Sequence, residues 1–303
     1  MNQINLNNQK YHFLITGGTG FIGTKLCQEL LKTSQNITVL TRQIKASTNN
    51  KIKFIQNLDQ QNFDYDVVIN LCGAPISVRW TNSQKQKIFA SRVELTKKLS
   101  AKILTAKNPP KVFLSASAVG FYGTSNSQIF DEESAPLNQN LFSQKICQNW
   151  EDAAKISAAK TRLVLLRTGI VVEKSGGFLK KMLPIFKLGL GGKIGSGDQY
   201  LSWIHLNDVI GAIIHIINNP DISGAINLTA PNPATNQEFS KALAKSLNRP
   251  CFFDVPAISL ELIYGKMAKE LLLEGQKVVP KKLLQNGYEF IFKNLNEVFK
   301  SDK

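Results

Sequence analysis

Cysteine and histidine are sparse in this 303-residue chain: four cysteines (Cys27, Cys72, Cys147, Cys251) and three histidines (His12, His205, His215). No two cysteines lie within four residues of each other, so zinc-ligand and CxxC redox spacings are absent. No metal site is expected, and the thiols read as reduced, which suits a cytoplasmic protein. Long apolar runs are also missing. The longest helical candidate, Val209 to Ile217, is broken by Gly211 and His215, well short of the roughly 18–20 residues that span a bilayer. The start, Met1–Lys10, is polar and Asn/Gln-rich, so no secretion signal is expected there. No membrane association is expected.

Acid is the other shortage. Thirty-seven Lys and Arg face 22 Asp and Glu, for a net charge of +15. The surplus is concentrated: Arg79–Lys111 and Ala153–Lys193 each hold nine basic residues and one acid. Such surfaces suit a phosphate-rich small ligand or solvated helix faces. With no DNA- or RNA-binding motif, nucleic acid is not the expected partner. The 43% hydrophobic and 19% charged composition is that of an ordinary globular protein.

Short apolar runs alternate with helical stretches. Strands are predicted at 11–16, 37–41, 53–55, 66–70, 112–116, 163–167 and 225–228, and helices at 21–33, 83–107, 141–159, 207–218, 236–247 and 260–273. The alternation predicts an α/β fold, a Rossmann-type doubly wound parallel sheet. Residues 11–170 are expected to form its core. Residues 171–303 supply the remaining core elements and a smaller C-terminal part on the substrate side. Between Gly169 and Gly197 the pattern loosens into a glycine-punctuated, loop-rich region.

The sharpest local signal is the run from Phe13 to Gly23, in which a strand leads through Gly17-Gly18-Thr19-Gly20 into a helix opening at Phe21, Ile22 and Gly23. Gly17 permits the tight turn, Gly20 lets backbone approach a diphosphate, and Gly23 lets helix pack on strand. The helix N-terminus offers free N–H groups to phosphate. After the second strand come Thr41 and Arg42, and no acid lies between Lys32 and Lys53. An acid there would select NAD; a guanidinium suits a 2′-phosphate, so NADP(H) is the expected cofactor. The loop Leu71-Cys72-Gly73-Ala74 and Ser115 are further candidates to line the cofactor.

At these residues the chain resembles the extended short-chain dehydrogenase/reductase superfamily, through Thr16–Gly23, Asn70–Gly73 and Ser115–Gly123. Ser77–Trp80, Ser91-Arg92, Asn149–Glu151, Leu166–Val172, Ser202–His205 and the tail from Val255 to Tyr288 look like a subfamily whose members are labelled "epimerase family protein" or "cell division inhibitor". The resemblance implies NADP(H) and a reductase or epimerase of unassigned substrate. It also implies a Tyr with a Lys four residues later, plus a Ser.

Ser117 fits the Ser role. The Tyr–Lys pair does not appear: four residues beyond the six tyrosines stand Ile15, Ile69, Asn126, Ile204, Ala268 and Phe292. The usual spacing from Ser117 points at Phe142, which has no hydroxyl. Tyr122 and Lys145 are the nearest substitutes, as a phenol and a ribose-holding cation. Lys193, Gln199, Trp203 and His205 are candidates for a substrate wall. Arg167 pairs either with substrate or within the fold. Two functions follow: an NADP(H)-dependent oxidoreductase or epimerase-like enzyme with an atypical acid, acting on a small molecule, or a non-catalytic NADP(H)-binding sensor. A nucleic-acid or division-apparatus binder rests on charge and label alone. Oligomerisation is left open.

Overall fold

The computed structural model describes residues 6, 9–43, 51–59, 62–137 and 139–300. The first half runs β1 (His12–Thr16), α1 (Phe21–Lys32), β2 (Asn36–Leu40), β3 (Ile52–Ile55), β4 (Val67–Asn70), α2 (Asn82–Phe89), α3 (Leu95–Thr105), β5 (Val112–Ala118), β6 (Ser125–Phe130) and α4 (Phe142–Lys155). The second runs β7 (Arg162–Thr168), β8 (Ile170–Glu173), α5 (Gly177–Lys187), β9 (Tyr200–Leu201), β10 (Trp203–His205), α6 (Leu206–Asn218), β11 (Gly224–Leu228), β12 (Ala234–Thr235), α7 (Asn236–Ser246), α8 (Ala257–Tyr264), α9 (Lys266–Ala268), β13 (Gln276–Val278), α10 (Lys281–Gln285) and α11 (Leu295–Lys300).

Seven strands form one parallel sheet in the order β11-β7-β5-β4-β1-β2-β3. The near-continuous apolar runs are explained by burial on both faces. Side chains alternate across the sheet. Phe13, Ile15, Val39, Leu114 and Leu166 pack with Leu26 and Leu30 of α1 and Ile213 of α6. Leu14, Val68, Phe113 and Leu165 pack with Leu99 and Ile103 of α3 and Ala154 of α4. The order reverses between β1 and β4, and the crevice at the strands' carboxyl ends at that point is where such sheets take ligands. A separate cluster, built on Leu179, Phe186, Trp203, Phe239, Leu243 and Phe299, holds the C-terminal part together. Asp208 on α6 binds it to the sheet's helices by accepting from the backbone of Ile291 (2.8 Å) and Phe292 (3.0 Å).

Three elements depart from the sequence reading. The predicted helix 83–107 is α2 and α3 joined by a π-helical turn, Ala90–Glu94. There Ser91 Oγ and Arg92 Nη1 both donate to Ile88 O, at 3.0 and 3.4 Å, competing with the regular ladder. The predicted helix 260–273 is divided at Gly265, whose φ of 61° ends α8. The loop-rich stretch after Gly169 holds β8 and the eleven-residue α5. Among the described residues no helix is long and apolar enough to cross a membrane, and none groups three metal-ligating side chains.

Candidate active site

The carboxyl ends of β1 and β4 are locked first. Thr16 Oγ1 donates to Asn70 Oδ1 at 2.6 Å, and Asn70 Nδ2 donates to Thr96 Oγ1 of α3 at 2.7 Å. From this anchor the chain turns at Gly17, with φ 70°, where a Cβ would lie 2.7 Å from Leu71 O. Gly20 N closes the turn onto Gly17 O at 2.9 Å. A Cβ on Gly18 would press on Val39 at 2.9 Å, and one on Gly23 would collide with Gly17 O. The N-cap of α1, Gly20, has no side-chain cap, and the first turn holds no acid. The leading N–H groups are therefore available to an anion, with the helix dipole behind them. Thr19 and Gly20 are exposed and Ile22 is half-buried, while the ring of Phe21 lies against Gly176 at the start of α5.

Beside this turn, Thr41 continues the β2 line, its N–H donating to Ile55 O at 2.9 Å. Arg42 follows, exposed. Leu71 N donates to Thr16 O at 3.1 Å, and Ala74 N donates to Ser91 Oγ at 2.9 Å. Burial pushes the Cys72 thiol upward, opposed by the positive fields of Arg42 and Arg92. Ser115 pairs in register with Asn70. It is fully buried, and its Oγ has no hydrogen-bond partner among the described residues. Bare N–H groups and side-chain-free glycines make the turn a fit for a dinucleotide.

The expected acid–base residues are joined in a closed network. Ser117 Oγ donates to Glu151 Oε1 at 2.8 Å. Glu151 is fully buried and receives Arg167 through Nε (2.8 Å) and Nη2 (2.9 Å). Arg167 Nη1 donates to Tyr122 OH at 3.0 Å, and that hydroxyl donates to Asn227 Oδ1 at 2.7 Å. The guanidinium also lies 3.5 Å over the Phe121 ring. Burial alone would lower the Arg167 pKa, but its bonds to Glu151 and Tyr122 outweigh that and raise it. Burial likewise pushes the Tyr122 phenol up, against the opposing effect of Arg167. Of the two roles open to Arg167, the structure shows the internal ion pair.

Phe142 is the first residue of α4, its ring edge-to-face with Trp80 at 4.8 Å. Lys145 is exposed on the same helix. Leu141, the N-cap, supplies no side-chain bond. Glu270 does so from the C-terminal part: its Oε2 accepts from Ser143 N at 2.9 Å and Ser143 Oγ at 2.8 Å. Replacing Glu270 with Ala is expected to cost about 1–2 kcal/mol, as loss of a helix cap does. Glu270→Gln, which keeps an acceptor oxygen, should retain most of it. Urea unfolding of the two variants checks this.

The four substrate-wall candidates lie within the C-terminal packing. Trp203 is fully buried, with Nε1 donating to Asn232 O at 3.0 Å, and shows no ring face to a ligand. Gln199 Nε2 donates to Ile194 O (3.0 Å) and Leu272 O (2.8 Å). His205 caps α6, its Nδ1 accepting from Asn207 N at 3.1 Å. Lys193 Nζ donates to Ser196 O at 3.1 Å. The close approach that Gly192 permits is to Phe253 O of this chain. Glu151, Asn227 and Glu270 were missed as site residues; each meets its partner from far along the chain, and only the Asn149–Glu151 motif marked any of them.

A family model described as "NAD dependent epimerase/dehydratase family" matches residues 13–228. The chain belongs to that family. A second model, a domain of unknown function, matches residues 255–301. An epimerase family protein of Staphylococcus aureus (strain MRSA252) is 38% identical over 290 residues, covering 93% of this chain and 96% of that protein. The crystal structure of human epimerase family protein SDR39U1 (isoform 2) with NADPH matches with TM-score 0.89 and 34% identity, over 96% of this chain and 98% of that one. A nucleoside-diphosphate sugar epimerase from Corynebacterium glutamicum matches with TM-score 0.77 and 27% identity, over 97% of this chain and 58% of the other.

Proposed function

We propose that this family member binds NADP(H) and acts as an oxidoreductase or epimerase-like enzyme on a carbonyl or hydroxyl carbon of a small or nucleotide-linked substrate. One observation carries the cofactor choice: the strand ending beside the uncapped α1 turn is followed by Arg42, with no acid between Lys32 and Lys53. The human relative, solved with NADPH, supports it. When bound, the nicotinamide supplies or accepts hydride. Gly17, Gly18 and Gly20 admit the diphosphate, and the α1 N–H groups hold it. Arg42 takes the 2′-phosphate.

Ser117 spends its single hydrogen on Glu151, so towards substrate it offers lone pairs. It therefore orients a hydroxyl rather than a carbonyl oxygen. The absent phenol at Phe142 leaves proton movement to water.

Arg42→Ala is expected to weaken NADPH about ten- to a hundredfold, the loss of one charge-assisted contact, and to leave NADH nearly unchanged. Calorimetry with both nucleotides tests it; equal affinity for the two in the parent protein refutes the NADP(H) assignment. A second reading, a sensor without turnover, is favoured by the engagement of both Ser117 and Tyr122 in internal bonds. NADPH oxidation by a panel of carbonyl compounds supports the enzyme; tight NADPH binding with no oxidation supports the sensor.

A further inference from the structure

Nine of the fourteen large apolar side chains that stand exposed among the described residues come from two short segments, 185–190 and 252–264. On α5, Leu179 and Phe186 are buried, while Ile185 and Leu188 face solvent, Leu188 with 75% exposure. Leu190 follows, also exposed. Phe252, 69% exposed, and Phe253 open the second segment. α8 is the extreme case: six of its eight residues are apolar, none is buried, and Ile258 and Leu262 are 71% and 72% exposed. A helix apolar on most sides ordinarily lies in a core.

Backbone contacts join the two segments into one face. Phe253 N donates to Gly191 O at 3.2 Å and Val255 N to Lys193 O at 2.8 Å, and α8 begins two residues further on. Scattered exposed apolar residues are ordinary, but a continuous face of them marks a surface that is covered in use. The surroundings of this face are basic. Residues 177–193 and 249–269 hold seven Lys and Arg against two acids, and one of those acids, Asp254, lies 3.8 Å from Lys193. Lys180, Lys181 and Lys187 of α5 are exposed and pair with no carboxylate among the described residues. Arg249, Lys266 and Lys269 stand exposed at the ends of the second segment. A second copy in a two-fold contact would set these cations against their own counterparts. A bilayer surface carrying anionic lipid satisfies both features at once, because apolar tips enter the acyl boundary while lysines meet the headgroups.

We infer that the end of α5, the Phe252-Phe253 pair and α8 form a docking face for the surface of an anionic bilayer. The face is independent of the NADP(H) reading, and the contact is peripheral. Neither segment announces it along the chain, since each supplies only part of the apolar surface. Cosedimentation of the full chain with vesicles of phosphatidylcholine alone, and of phosphatidylcholine and phosphatidylglycerol in equal parts, tests it. Binding is expected to the mixed vesicles, weakening as salt is raised, and not to the neutral ones. Phe252→Ser with Phe253→Ser should weaken it at least about tenfold through lost apolar burial, and Lys180→Gln with Lys187→Gln about tenfold through lost charge. Lys97→Gln with Lys98→Gln, on α3 outside the face, removes the same charge and should leave binding within about twofold. All six positions are exposed, so these variants should unfold at the parent's urea midpoint. A parent that does not bind the mixed vesicles overturns the assignment, and if gel filtration shows it as a dimer the face belongs to a second copy. Equal loss in the two lysine variants also overturns it, by making net charge the cause, as does a phenylalanine variant that binds like the parent.

Discussion

Replacing Arg167 with Met is expected to destabilise the fold by about 3–5 kcal/mol, the cost of leaving a buried charge without its partner. Glu151 is fully buried, and Arg167 supplies two of its hydrogen bonds. With the guanidinium gone, Ser117 Oγ is the one side-chain donor left to that carboxylate among the described residues. Tyr122 loses less, since Asn227 Oδ1 still accepts from its hydroxyl. Removing both charges, as in Arg167→Met with Glu151→Met, should recover a large part of the loss, because apolar replacement of a buried pair is often near neutral. Urea unfolding of the parent, the two single variants and the double variant closes the cycle. If Arg167→Met costs less than about 1 kcal/mol, a value ordinary for any point change, the pair does not hold β5, β7 and α4 together as described.

Gly23→Ala is expected to abolish dinucleotide binding, with a loss of more than about a hundredfold, and to cost about 1–3 kcal/mol in stability as an overpacked substitution. The added methyl would strike Gly17 O and the Gly18 Cα, which are backbone atoms of the turn itself. Relief requires α1 to move off β1 or the turn to open, and either one displaces the N–H groups that would hold phosphate. The loss should fall equally on NADPH and NADH. That equality separates it from Arg42→Ala, which discriminates between them. Calorimetry on the soluble variant decides: unchanged affinity for NADPH means the diphosphate is not held at this turn.

The parts of the proposed site that are legible in the sequence are those in which neighbours along the chain do the work. Gly17, Gly20 and Gly23 act within one turn of each other, and Arg42 needs only the end of the strand before it. The sheet was similarly legible, because strands buried on both faces are written as apolar runs. Ser117 was recognisable as a strand-end hydroxyl. Its acceptor, Glu151, lies 34 residues on, and Glu151's cation a further 16. No periodicity announces such a pair. Glu270 and Ser143 are 127 residues apart, and the amide that needed a cap carried no sign of where the carboxylate would come from. The glycines of residues 191–197 show the same limit: glycine reports that something comes close, and at Gly192 that neighbour is the backbone of Phe253.

By itself, then, the amino-acid order determined the parallel α/β architecture, the phosphate-ready turn and the absence of a Tyr–Lys pair, since each is a matter of local conformation or of residue identity. Tertiary structure alone decided that Ser117 and Tyr122 are tied to one buried ion pair, and that Trp203 is core. Those outcomes depend on which distant side chains the packed helices bring within about 3 Å, the range over which hydrogen bonds and ion pairs are made.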